Sequence, residues 1–139
     1  MGTAEGLFGY LAEEVGYPYN QIPTQMYRSF AGGFALEASL CGTLAVAAGF
    51  IGLIAGDKQN ALVKELFDWY KQAELPVYNP DFPDHAVTVA ESTLCYDSVS
   101  KFIQKENVAF GSPERSSRCA GVSAEVVRKT ATILNREFA

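Results

Sequence analysis

Apolar residues recur three and four apart over most of this chain, the spacing that lays one apolar stripe along a helix. Leu7, Phe8, Leu11, Ala12 and Val15 predict a first helix over residues 3–16, closed by Gly16. A turn through Gly16-Tyr17-Pro18-Tyr19-Asn20 follows, and Pro23 suits the first turn of a short helix reaching Phe30. Ala31-Gly32-Gly33 breaks it. Residues 34–55 then read as a helix that is apolar on every side, stopped by Gly56-Asp57. Over residues 58–75 the pattern becomes two-faced, with Leu62, Val63, Leu66, Phe67, Tyr70 and Ala73 opposite Lys64, Glu65, Asp68 and Lys71. Pro76, Pro80 and Pro83 predict an extended loop through residue 89, since each fixes φ and removes a donor. Val87-Thr88-Val89 suits a short strand, but the pattern offers it no partner. Ser92 is the candidate N-cap of a helix to Glu106, with Cys95, Val99, Phe102 and Ile103 as its stripe. After the break at Phe110-Gly111-Ser112-Pro113, a last helix carries Val122, Val126, Val127, Thr130, Ile133, Leu134 and Phe138. The sum is an all-α single domain over residues 1–139, a compact bundle of five or six helices around a hydrophobic central helix.

Residues 38–56 hold no charge, close to the length that spans a bilayer, and small residues recur four apart at Ala45 with Gly49 and Ala48 with Gly52. The neighbouring helices are amphipathic, and neither flank carries a Lys/Arg cluster. Burial in the core or in a dimer interface is therefore the expectation, and a membrane span is not. With 48% hydrophobic and 19% charged residues the composition is globular. A net charge of −5, with no basic stripe, argues against nucleic acid. No charged segment followed by an apolar one stands at the N-terminus, so the expected location is the cytoplasm, or the periplasm if a signal preceded residue 1.

Three cysteines, Cys41, Cys95 and Cys119, cannot all be used in intramolecular disulfides. On the predicted elements, Cys95 lies in the first turn of its helix and Cys119 just ahead of the last helix. Cys41 lies two turns inside its own. A helix N-terminus favours thiolate, so Cys95 and Cys119 are expected to stabilise anionic sulfur. Taken singly, each cysteine reads most simply as a small buried apolar side chain. Their separations match no zinc-finger spacing. His85, the single histidine, sits on the proline-held loop beside Asp84. An exposed residue without a role is its simplest reading, against a metal ligand, an axial haem ligand or half of an acid–base pair. Ala31-Gly32-Gly33 is too short for a phosphate loop, no Gly-x-Ser-x-Gly elbow is present, and no Cys-x-x-Cys-His exists to attach haem.

Local context makes the cysteines a set. Phe30-Ala31-Gly32-Gly33-Phe34 with Ser39-Leu40-Cys41-Gly42-Thr43-Leu44-Ala45 resembles the glycine-rich segment and cysteine helix of the C_GCAxxG_C_C redox family, which is related to the split-Soret cytochromes c. Ser92-Thr93-Leu94-Cys95-Tyr96-Asp97 and Ser116-Ser117-Arg118-Cys119-Ala120 resemble its two later cysteine segments. Leu40, Gly42 and Ala45 replace the motif's first Gly, its Ala and its last Gly, and the family's first cysteine has no counterpart here. The resemblance implies a helical, homodimeric redox protein working with an unidentified redox partner. It implies an iron–sulfur cluster of 2Fe-2S type on Cys41, Cys95 and Cys119, with a non-cysteine or exogenous fourth ligand. A haem would need an attachment other than Cys-x-x-Cys-His, such as a non-covalent one through His85. The competing readings are a cofactor-free helical oligomerisation module and, third, a thiol enzyme using Cys95 or Cys119.

Overall fold

Five helices form where the apolar stripes stand, but four of their boundaries shift, and the shifts in the helices that carry Cys41, Cys95 and Cys119 place those cysteines. The computed structural model describes residues 1–138. Helix α1 (residues 2–15) buries Leu7 and Phe8 and contains a wider π-helical segment, Glu5–Gly9, between α-helical Gly2–Ala4 and Tyr10–Val15. A 3-10 segment, Tyr19–Gln21, follows the turn, and a second, Thr24–Phe30, occupies the place of the predicted short second helix. The central helix α2 (Gly42–Ala55) leads through a 3-10 turn, Gly56–Lys58, into α3 (Gln59–Gln72). Strands β1 (Glu74–Leu75) and β2 (Thr88–Val89), then α4 (Cys95–Glu106) and α5 (Pro113–Phe138), complete the order.

Leu44, Ala47 and Ile51 of α2 have no solvent exposure, and they share one core with Leu66 of α3 and with Val126 and Ile133 of α5. A uniformly apolar helix can occupy the middle of a bundle because neighbours cover it on several sides. Among the described residues no helix is long and apolar enough to cross a membrane. The aromatic rings of Phe8, Phe50, Tyr27 and Phe30 join α1, α2 and the second 3-10 segment through centroid separations of 5.1–5.4 Å.

Several expectations after Gly56 are corrected. The helix predicted over residues 58–75 ends at Gln72, and Ala73 already has extended ψ of 140°. Pro76 disfavours helical conformation in the residue before it, so Leu75 becomes strand. That strand is the partner Val87-Thr88-Val89 lacked: β1 pairs antiparallel with β2, Glu74 opposite Val89 and Leu75 opposite Thr88. Helix α4 starts at Cys95 rather than after Ser92, whose hydroxyl instead accepts the Leu94 N–H at 2.9 Å.

The largest correction lies before Cys41. Gly32, Gly33, Phe34, Ala35 and Leu36 all have positive φ, between 52° and 72°, and Ala38 has 57°. The chain therefore makes a left-handed turn where a right-handed helix was predicted, and α2 begins only at Gly42. Left-handed helical geometry costs an L-residue about 1–2 kcal/mol. Hydrogen bonds hold the turn: Ala35 N–H to Ser29 O at 2.7 Å, Ala38 N–H to Gly32 O at 2.9 Å, and Ser39 Oγ to Gly33 O at 2.6 Å. The Phe34 ring rests on Phe30 with centroids 4.5 Å apart.

Candidate metal centre

The left-handed turn delivers Cys41 to α2 and, at the same time, caps α4. Cys95 N–H donates to Ser39 O at 2.7 Å and Tyr96 N–H to Ala38 O at 3.1 Å, so carbonyls of the turn satisfy the first orphan donors of α4. Cys41 N–H in return donates to Thr93 O at 2.9 Å, and Leu40 forms an antiparallel bridge with Leu94. These crossed bonds hold the Cys41 and Cys95 segments side by side. Cys119 comes from α5, six residues after its first residue Pro113, and its carbonyl accepts the Ser123 hydroxyl at 3.0 Å. All three thiols are free and half-buried, and all three line one cavity of about 420 Å³. Tyr27, Phe30, Val99 and Phe110 supply its apolar wall, and Arg115 lies on it as well.

The helix-end expectation inverts for two of the three. Cys41 is the N-cap residue of α2 and Cys95 the first residue of α4, whereas Cys119 lies well inside α5. Its predicted position ahead of the last helix failed because Pro113 takes the first position of that helix, where its missing N–H costs nothing. Nor does the helix end make Cys95 anionic: burial first, then the neighbouring Cys41 and Cys119, push its pKa up to about 11, against the opposing pull of Arg115 and Arg118. In the metal-free protein Cys95 is thus a protonated thiol at neutral pH. Its alkylation by iodoacetamide should accelerate only as pH approaches about 11, where an ordinary thiol of pKa 9.0 is already anionic. A Cys95 rate that levels off below pH 9 would contradict this. Metal coordination reverses the balance, since a coordinating thiol is deprotonated outright.

Behind the thiols lies a polar layer in which the sequence stripe had shown only core packing. The Tyr70 hydroxyl, 1% exposed, donates to Ser98 Oγ at 3.0 Å. Burial, and next the Cys41 thiol, hold its pKa well above the ordinary phenol value. Arg118 is 2% exposed, with its guanidinium 5.7 Å from the Phe102 ring centre. Its Nη2 reaches Thr88 Oγ1 only at 3.5 Å, and its Nε has no partner. A chain of hydroxyls, Thr3 to Thr43 at 3.3 Å and Thr43 with Ser123 at 2.8 Å, borders the cavity. The one sequence signal for it was a serine one helical turn beyond Cys119.

His85 is not the exposed loop residue it was read to be. Its ring stacks on Phe82 at 5.0 Å and lies 6.1 Å from Phe102, with Nδ1 buried and unpartnered. It is not among the residues lining the cysteine cavity. Among the described residues, no three His, Cys, Asp or Glu side chains are grouped tightly enough to hold a single metal ion.

The model of the family described as "Putative redox-active protein (C_GCAxxG_C_C)" matches residues 1–133. The chain belongs to the C_GCAxxG_C_C family. The resemblance drawn from the three cysteine segments is thereby borne out. Split-Soret cytochrome c of Desulfovibrio desulfuricans (strain ATCC 27774) is 34% identical over 145 residues, a match covering 99% of this chain and 52% of the cytochrome. A solved structure of the same cytochrome, described as containing a novel iron centre, superposes with a TM-score of 0.88 at 33% identity. That superposition covers 97% of this chain and 59% of the cytochrome. This C_GCAxxG_C_C protein thus spans about half the length of its curated relative, and it shares the relative's helical fold over nearly all of its own.

Proposed function

We propose that this C_GCAxxG_C_C protein is an iron–sulfur redox protein in electron transfer or redox sensing, with a cluster of 2Fe-2S type on Cys41, Cys95 and Cys119. The observation that carries the reading is the convergence of three free thiols, from three separate elements, on one cavity. Soft thiolates select iron–sulfur clusters over hard cations. The cavity of about 420 Å³ that the three thiols line leaves room for a polynuclear group. When bound, the cluster supplies one-electron chemistry at a potential set by burial, charge and hydrogen bonds. The chain's own part is to hold and shield it. The crossed hydrogen bonds around Ser39 and Thr93 fix the Cys41 and Cys95 backbones. Tyr27, Phe30 and Val99 keep much of the cavity wall apolar. The fourth ligand is a non-cysteine or exogenous group, since the chain has only three cysteines. The reading includes a homodimer, for which the exposed Leu36, Leu94 and Tyr96 beside the site offer apolar surface.

Anaerobic purification followed by a visible spectrum and by iron and sulfide analysis tests the reading. A colourless protein, still iron-free after anaerobic reconstitution, would sink it. Changing Cys41, Cys95 or Cys119 singly to alanine is expected to cut iron retention by about tenfold or more, at least the loss typical when even an outer partner of a metal ligand is removed. A variant that keeps wild-type iron content removes its residue from the donor set. Monomeric sedimentation of the iron-loaded protein would remove the dimer from the proposal.

A further inference from the structure

Arg115 is the only charged side chain on the wall of the cysteine cavity, and no carboxylate stands there to pair with it. Two contacts pin it. Its Nε donates to Phe110 O at 2.6 Å, and its guanidinium lies 4.6 Å from the centre of the Phe110 ring, which lines the same cavity. With Nε spent in this way, Nη1 and Nη2 make no hydrogen bond and no ion pair among the described residues. A guanidinium fixed along one edge holds its remaining N–H groups in place, and that fork takes a carboxylate through two parallel hydrogen bonds.

The rest of the wall points a ligand's charge toward Arg115. Ser123 donates to Cys119 O at 3.0 Å, so the hydrogen bond of 2.8 Å between Thr43 and Ser123 uses the Thr43 proton. Thr3 in turn donates to Thr43 at 3.3 Å. Each hydroxyl has one proton to give, and all three are spent, so this side of the cavity shows only lone pairs to a ligand and disfavours an anion. The Tyr27 hydroxyl is different. It makes no hydrogen bond among the described residues, and burial raises its pKa above the ordinary phenol value, so it stays a donor at neutral pH. Phe30, Val46 and Val99 add apolar surface.

We infer that the cysteine cavity is also a binding site for a small organic monocarboxylate, anchored on Arg115 with Tyr27 as the second donor. Its short hydrocarbon chain lies against Phe30, Val46 and Val99. One cation matches one negative charge, whereas a phosphate dianion would leave a charge unpaired. The volume of about 420 Å³ is within the range of about 300–1,000 Å³ usual for small-molecule pockets, so an acid of a few carbons fits beside the thiols. The anchor is Arg115 rather than a metal, and the inference therefore goes beyond the iron–sulfur reading and is separable from it.

Calorimetric titration of the full chain with propionate, at neutral pH and low salt, tests it in iron-free and iron-loaded protein. 1-Propanol, of similar size but uncharged, and inorganic phosphate are the comparisons. Propionate should bind saturably in both states, phosphate more weakly, and 1-propanol not at all over the same concentrations. Arg115→Met should weaken propionate binding by about tenfold or more, the scale of hydrogen bonds to a charged group. Arg115→Lys should restore only part of the loss, because an ammonium has no fork. No saturable propionate binding, equal binding of 1-propanol, tighter binding of phosphate or wild-type affinity in Arg115→Met would each overturn the inference. Binding lost on iron loading would overturn it too, since the cavity could not then hold both. If Arg115→Met does not fold, Tyr27→Phe takes its place with an expected loss of about tenfold, and an unchanged affinity there is equally fatal. A chain that takes up no iron sinks the iron–sulfur reading alone, because the iron-free titration still decides this one.

Discussion

Gly33→Ala is expected to destabilise the protein by about 3–4 kcal/mol, a large part of the 5–15 kcal/mol typical of a domain. Two costs add. The residue sits at φ 72°, where an L side chain gives up about 1–2 kcal/mol. Its new Cβ would also lie 2.6 Å from Ser39 N, 2.8 Å from Ala38 C and 2.8 Å from Cys95 Cβ. The first two are backbone atoms that cannot swing aside, so overpacking adds a further 1–3 kcal/mol or so. The third contact carries the strain into the site, so iron retention should fall along with stability. Urea denaturation measures the first effect and iron analysis of the reconstituted variant the second. Gly49→Ala is the control: nothing lies within 4 Å of the added Cβ in the interior of α2, and alanine there should gain up to about 1 kcal/mol. A Gly33→Ala loss below about 1 kcal/mol would mean that the turn yields, and that its handedness does not position Cys95.

Phe102→Ala should cost about as much or more, 3–5 kcal/mol on the scale of buried phenylalanines. Its side chain has no solvent exposure, and Arg118 and His85 both lie against its ring. Removing the ring takes away a transfer term and leaves a cavity. It also strips Arg118 of its one aromatic neighbour and admits water to a guanidinium that had excluded it. Phe102→Leu separates these effects: it retains most of the volume and should cost less than about 1.5 kcal/mol. Chemical denaturation of the pair decides the matter, and near-equal losses would show that volume is not what the ring contributes.

The parts of the molecule that were legible in the chain are those governed by local periodicity. The stripes of α1, α3, α4 and α5 and the unbroken apolar run of α2 each fall within the expected element. Grouping the cysteines needed segment context rather than spacing, because 41, 95 and 119 come together only through tertiary pairing. Two boundary errors were avoidable on local grounds. Pro76 already argued for an extended Leu75, and Pro113 already suited the first position of α5. The remaining misses have nonlocal causes. Nothing in Phe34-Ala35-Leu36 disfavours a right-handed helix, and the turn there is imposed by bonds back to Ser29 and Gly32 and forward to α4. His85 is covered because Phe82 and Phe102 converge on it from a loop and a helix. Arg118 adjoins Cys119 in the sequence, but its near-complete burial is a property of the packed bundle.

The segment that winds the unfavoured way has a stereochemical consequence. Ala35 sits at φ 52°, a region disfavoured for its own configuration and preferred by the mirror-image amino acid. In a chain assembled by chemical ligation, D-alanine at position 35 would relax into the backbone shape that L-alanine must be forced to adopt. The carbonyls of Ala38 and Ser39 that receive α4 would then be held by a turn at rest. One inverted carbon would firm up the seat of Cys95 without altering a letter of the sequence.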